Sequence, residues 1–132
     1  MPLRSVNACV LVVEDHEDTR FMLRTMLELR GGISVVEANN GEMAIELAQS
    51  SAPDLILIDS NLPLLDGYEA TRRIRELTSM RKVPIVFLSG HAQPTDEAKA
   101  FAAGCNDYLV KPFSLGRLGN VLERHLPPGK AI

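Results

Sequence analysis

The sequence predicts an α/β domain: a five-stranded parallel sheet with helices packed on both faces. Three observations carry this expectation. Five short runs are almost wholly apolar and rich in β-branched residues, as strands covered on both sides must be. Between them, apolar residues recur at three- and four-residue spacing, the period of a helix with one buried face. The two kinds of segment alternate along all 132 residues, the order that βαβ units require.

Ala8 to Val13 is the first strand, and it ends abruptly in Glu14-Asp15-His16-Glu17-Asp18. A helix from about Glu17 to Arg30 follows, with Met22, Leu23, Met26 and Leu27 at helical spacing, until Gly31-Gly32 stops it. Ile33 to Glu37 is a short second strand. Asn39-Asn40-Gly41 then supplies turn and cap chemistry before a helix carrying Met43, Ala44, Leu47 and Ala48. Pro53-Asp54 breaks the chain ahead of the third strand, Leu55 to Ile58, which runs straight into Asp59. Asp66 is placed to cap a helix reaching about Leu77, with Ala70, Ile74 and Leu77 inward. After Lys82-Val83-Pro84 comes the fourth strand, Ile85 to Leu88, closed by Ser89-Gly90. A short helix begins at Thr95 or Asp96, presents Ala98, Phe101 and Ala102, and ends at Gly104. Asp107 to Val110 is the fifth strand, Lys111-Pro112-Phe113 follows it, and a last helix from Ser114 to His125 carries Leu115, Leu118, Val121 and Leu122. One domain over residues 1–126 is expected, with 127–132, beginning Pro127-Pro128-Gly129, as a short tail.

Composition narrows the function. A formal charge of −3 gives no general field for nucleic acid or an anionic membrane. The basic group Arg72, Arg73, Arg75, Arg81 and Lys82 falls near a helix end, where cations complement the helix dipole. Two distant cysteines, Cys9 and Cys105, suggest neither a zinc site nor a disulfide framework. With no leader-like or membrane-spanning apolar stretch, a cytoplasmic protein is expected.

In parallel α/β sheets, function gathers at the carboxyl ends of the strands, near the switch point in strand order. Here those ends carry Glu14-Asp15, Asp59, Ser89 and Lys111. Carboxylates converging on one edge repel one another unless a cation joins them, and an all-oxygen set suits Mg²⁺, or alternatively Mn²⁺. Beside such an ion Asp59 can act as a nucleophile toward a phosphoryl group. Ser89 can donate to a phosphoryl oxygen, Gly90 leaves room for it, and Lys111 offers a positive charge. Each has a plainer reading when taken alone. Glu14 and Asp15 can be a helix-start acidic loop, Asp59 a turn residue, Ser89 a backbone cap and Lys111 a surface lysine.

Taken together, Val12-Val-Glu-Asp15, Leu57-Ile-Asp59 with Pro63 and Asp66-Gly67, Leu88-Ser-Gly90 and Tyr108-Leu-Val-Lys-Pro-Phe113 resemble the receiver domain of two-component response regulators, of the chemotaxis-regulator type. The resemblance implies a doubly wound, flavodoxin-like (βα)5 fold with strand order 2-1-3-4-5. It makes Asp59 the phosphoacceptor for a histidine kinase or histidine phosphotransfer protein. It also makes Glu14, Asp15, Asp59 and the Asn61 backbone carbonyl the Mg²⁺ ligands, Glu14 acting through water. Ser89, Gly90 and Lys111 would hold the phosphoryl group, and Ser89 with Tyr108 would form the switch. A cis Lys111-Pro112 bond, and an output face of helix four, strand five and helix five toward a protein partner, are likewise implied. Glu14 and Ser89 stand where Asp and Thr are commoner, and Ser60, Leu62 and His91 also depart from the usual pattern. His16, His91 and His125 read as structural or loop residues.

The expected function is thus a stand-alone phosphorylation switch that assists its own phosphorylation and dephosphorylation and is not an enzyme for external substrates. Two other readings compete. A flavin-binding electron carrier shares the fold class, but its first loop should offer Ser, Thr and Gly amides in place of four acids. A metal-dependent phosphohydrolase would need a further acid or base beside Asp59, and Ser60 and Asn61 provide none.

Overall fold

In the computed structural model, which describes residues 8–90 and 94–126, the chain alternates strand and helix throughout. The elements are β1 (Ala8–Val13), α1 (Glu17–Arg30), β2 (Ile33–Ala38), α2 (Gly41–Ser51), β3 (Leu55–Asp59), α3 (Gly67–Glu76), β4 (Ile85–Ser89), α4 (Pro94–Ala103), β5 (Asp107–Val110) and α5 (Leu115–His125). A single 3-10 turn, Thr78–Met80, lies between α3 and β4. The strands form one parallel sheet in the order β2-β1-β3-β4-β5. His91, the expected start of the tail at Pro127-Pro128-Gly129 and residues 1–7 lie outside the described residues.

Because side chains alternate across a strand, each apolar run feeds two cores. Leu11, Val13, Ile56, Ile58, Ile85 and Phe87 face one way and pack with Ala44 and Ala48 of α2, Ala70 and Ile74 of α3, and Ala100 of α4. Val10, Val12, Leu55, Leu57, Val86 and Leu88 face the other, against Leu23 and Leu27 of α1 and Leu118, Val121 and Leu122 of α5. Each large aliphatic side chain so buried contributes about 1.5–3 kcal/mol. The continuous apolar character is strongest in β1, β3 and β4, which lie inside the sheet. β2 and β5 are its edges and are only partly buried.

The caps follow the local sequence. Asn40, Asp66 and Ser114 side chains accept from the amides of Met43, Glu69 and Arg117, satisfying donors that the first helical turn leaves open. His16 precedes α1 without capping it.

Several helical faces differ from expectation. In α4 the buried residues are Ala100 and Ala103, while Phe101 is 47% exposed and Ala98 and Ala102 are also outward. Alanines fix no phase, and the one large apolar residue points the wrong way because the small ones let α4 lie close to the sheet. Met22 is 43% exposed, and Met43 and Leu115 are also outward, so only part of each apolar stripe reaches the core. Arg75 does more than complement a helix end. Its guanidinium donates to the carbonyls of Gly104, Met80 and Val83 and to Asn106 Oδ1, stitching α3 to the loops that flank β4 and β5. Arg72 and Arg73 pair with Glu69 on their own helix, so this group forms no continuous basic patch.

Cys105 is buried, and that burial pushes its thiol up to about 11. No helix among the described residues is long and apolar enough to cross a membrane.

Candidate functional site

Strand register decides which polar residues meet. Val13 pairs with Ile58, Asp59 with Leu88, and Ser89 with Val110, so the carboxyl ends of β1, β3, β4 and β5 share one edge. β3 extends one residue beyond the expected Ile58 and β4 one beyond Leu88. Asp59 and Ser89 are therefore the last residues of strands, held by ladder hydrogen bonds, and not members of loose turns. The Ser60 amide donates to the Leu88 carbonyl and the Lys111 amide to the Ser89 carbonyl at 2.7 Å, which continues the sheet under the site.

Glu14 is wholly buried just past β1, and Asp59 is nearly so. Lys111 Nζ lies 2.8 Å from Glu14 Oε1 and 3.1 Å from Asp59 Oδ2, bridging the two. The Lys111-Pro112 bond ahead of α5 is cis. His16 turns back over the acids: its amide donates to Glu14 Oε2 at 3.1 Å, and its Nδ1 lies 3.2 Å from the same oxygen and 3.4 Å from Asp15 Oδ1. Sequence reasoning treated His16 as merely structural, yet it caps the acidic cluster on its solvent side. Oxygen or nitrogen atoms of Glu14, Asp15, His16 and Asp59 all lie within 4.8 Å of one another.

The electrostatics of the two buried acids diverge. Burial raises the Glu14 carboxyl, but hydrogen bonds from Lys111 and His16 outweigh it and hold Glu14 below the ordinary range. Burial also raises Asp59, the Asn61 amide opposes this, and the nearby charge of Glu14 leaves Asp59 above its ordinary value. Lys111 is partly desolvated, yet the two carboxylates keep its ammonium above the usual lysine value. Lys111 is thus primarily the counterion of Glu14, and Asp59 is the less satisfied carboxylate. Its Oδ1 accepts the Asn61 amide at 3.0 Å, so this strand-end carboxylate also holds the first residues of the loop that follows.

Asp15 Oδ1 is buried without a hydrogen-bond partner. A buried carboxylate oxygen that accepts no hydrogen bond, with only the His16 ring nitrogen 3.4 Å away and two further carboxylates beside it, is a donor set suited to a hard divalent cation. Glu14, Asp15 and Asp59 are the side chains able to hold one.

The remaining expected residues lie around this cluster. Ser89 is buried at the end of β4, and among the described residues a Cβ built on exposed Gly90 would meet nothing within 4 Å. Tyr108 is half-buried on β5, paired in register with Phe87 and packed against the first core. Leu62 is buried and Asn61 exposed. Tyr68, in the first turn of α3, is half-buried against the first core. Its ring lies 5.2 Å from that of Phe87, and Lys99 Nζ sits 4.6 Å from its centroid. It thereby joins α3 to β4 and α4.

The family model of the response regulator receiver domain matches residues 10–123. A two-component response regulator of Oryza sativa subsp. japonica, ORR41, is 42% identical over 87% of this chain and 91% of its own length. The polar-differentiation response regulator DivK of Brucella anthropi is 32% identical over 89% and 94%. KdpE, the KDP operon transcriptional regulatory protein of Escherichia coli strain K12, is 40% identical over 88% of this chain and 52% of its own length. Among solved structures, the receiver domain of a Pseudomonas aeruginosa PAO1 sensor histidine kinase, with magnesium coordinated in its active site cleft, superposes with a TM-score of 0.84. It is 38% identical, over 90% of this chain and 97% of that one. Chemotaxis protein CheY4 of Vibrio cholerae gives a TM-score of 0.87 at 32% identity, over 91% and 99%.

Proposed function

This chain belongs to the response regulator receiver domain family, and from that premise we propose that it is a phosphorylation-dependent switch with Asp59 as phosphoacceptor. The observation that carries this reading is the placement of Asp59 at the end of β3 beside Asp15 and Glu14, with an ammonium that already spans Asp59 and Glu14.

A histidine kinase or histidine phosphotransfer protein is the donor. A carboxylate oxygen of Asp59 forms a bond to phosphorus while the phosphorus–nitrogen bond of the donor phosphohistidine breaks, and the bonding pair returns to the imidazole. Glu14, Asp15, Asp59 and the Asn61 backbone carbonyl would hold Mg²⁺, or alternatively Mn²⁺. When bound, the ion supplies positive charge that screens these carboxylates from the incoming phosphoryl oxygens. Lys111 pairs with one phosphoryl oxygen, and Ser89 donates its hydroxyl to another beside Gly90. The phosphoryl group thereby binds one of two arrangements of Ser89 and Tyr108 more tightly and shifts the balance between them. The protein so acts on itself, not as an enzyme on external substrates.

Output passes to a protein partner over the surface of α4, β5 and α5, without nucleic acid or membrane insertion. A recess of about 290 Å³ there is lined by Asp107, Tyr108, Leu109, Arg117 and Arg124 among others, and it includes the switch tyrosine. A cytoplasmic site of action goes with this reading, the receiver match covering residues 10–123.

Incubation with a labelled phosphoryl donor, acetyl phosphate or a phosphorylated kinase, tests the assignment. Label is expected on the wild type with Mg²⁺, and none with EDTA or in Asp59→Asn. Retention of label by Asp59→Asn would overturn it.

A further inference from the structure

We propose that Arg20 is a positioning residue for the metal-binding loop, setting the relative orientation of Glu14 and Asp15; the proposal rests on the metal-site reading above. Arg20 closes the first turn of α1, and its Nη1 donates to the Glu14 carbonyl oxygen at 2.9 Å. That carbonyl belongs to the peptide joining Glu14 to Asp15, so holding it fixes how the two acidic side chains diverge. Arg20 Nε in turn pairs with Glu37 Oε1 at 3.0 Å, and the arginine side chain is only 17% exposed.

The anchor is β2. Glu37 and Ala38 are the last two residues of that strand, in register with Val12 and Val13. The Ala38 carbonyl accepts the Glu14 amide at 3.0 Å, while Glu37 holds the Glu14 carbonyl through Arg20. Both sides of Glu14 are thus tied to one strand end. The connection β1–α1 spans only Glu14 to His16, and it must keep its acids close to Asp59 against their mutual repulsion. Because Glu37 neutralises Arg20, the contribution is orientation more than added positive charge. Groups that orient a ligand in this way cost about 10–100-fold in metal affinity when removed.

The structure contains its own control. Arg24 pairs with the same Glu37 and with Glu28, yet it has no hydrogen bond to the loop, and its side chain is 42% exposed. The test is titration with Mg²⁺ alone, followed by amide chemical shifts or calorimetry, alongside urea unfolding in EDTA. Arg20→Met is expected to bind Mg²⁺ about 10-fold or more weakly, Arg20→Lys to recover part of that loss, and Arg24→Met to bind as the wild type does. Unchanged affinity in Arg20→Met, or an equal loss in Arg24→Met, would overturn the proposal. If Arg20→Met does not fold, Glu37→Gln loosens the same anchor. Weaker Mg²⁺ binding by that variant supports the proposal, and wild-type affinity overturns it. A wild type that binds no Mg²⁺ would overturn the metal-site reading itself, and this inference with it.

Discussion

Replacing Lys111 with methionine keeps most of the aliphatic stem and removes the ammonium that bridges Glu14 at 2.8 Å and Asp59 at 3.1 Å. What remains is two acids in a site where Glu14 is wholly buried. Removing one partner of a buried ion pair costs about 3–5 kcal/mol. Two features lower that figure here: the lysine side chain is 27% exposed, and Asp59 keeps the Asn61 amide as a second donor. The expected loss in EDTA is therefore about 2 kcal/mol, below that buried-pair range. Mg²⁺ narrows the difference. Binding to the folded state stabilises it by about 2.7 kcal/mol at one hundred times the dissociation constant. In the wild type the ion competes with the ammonium for the same two carboxylates; in Lys111→Met it does not. The variant should gain more from Mg²⁺ than the wild type does, and its deficit should shrink as Mg²⁺ rises. Urea unfolding followed by far-ultraviolet circular dichroism, with EDTA and across a Mg²⁺ series, measures this. A variant as stable as the wild type in EDTA, or a deficit constant at every Mg²⁺ concentration, would refute the reasoning.

Two further outcomes follow from local geometry. A Cβ on Gly67 would lie 2.4 Å from the Asp59 carbonyl oxygen and 2.9 Å from Ser60 Cα, both backbone atoms that cannot swing aside. Gly67→Ala is expected to lose about 1–3 kcal/mol in urea unfolding, while Gly116→Ala, whose nearest contact would be 3.8 Å away, should unfold at or above the wild-type midpoint. Asp107 is held below its ordinary range: burial raises it, but His125 at 2.9 Å, the Tyr108 amide and Arg124 outweigh that. A carboxyl depressed by folding contributes stability that is present above its unfolded value and is lost as pH falls through its folded value. Asp107→Asn should therefore cost up to about 1 kcal/mol at pH 6, Arg124 being exposed, and markedly less near pH 3. Unfolding midpoints at the two pH values decide it, and a penalty independent of pH would count against the ion-pair account.

The residues of the candidate site were legible because they break a pattern. Glu14, Asp59, Ser89 and Lys111 each stand at or just after the end of an apolar strand, and parallel register then places them along one edge of the sheet. Alternation along the strands likewise made the two cores readable, since a run apolar at every position must be covered twice. The phase of α4 was not legible. Alanine carries almost no information about which side is buried, and Phe101, the strongest apolar signal in that helix, faces outward. The supporting side chains were hidden for the opposite reason, that they obey the pattern. Arg20 and Tyr68 occupy positions where a helix normally shows a polar or amphipathic residue, and Arg75 matches the cation expected near a helix end. Their partners are the Glu14 and Gly104 carbonyls, Phe87 and the end of β2, at separations with no periodic signature. The acids at the strand ends define which chemistry this edge of the sheet can perform. How closely they are held in position depends on residues such as Arg20, whose identity looks ordinary until its hydrogen bonds are traced.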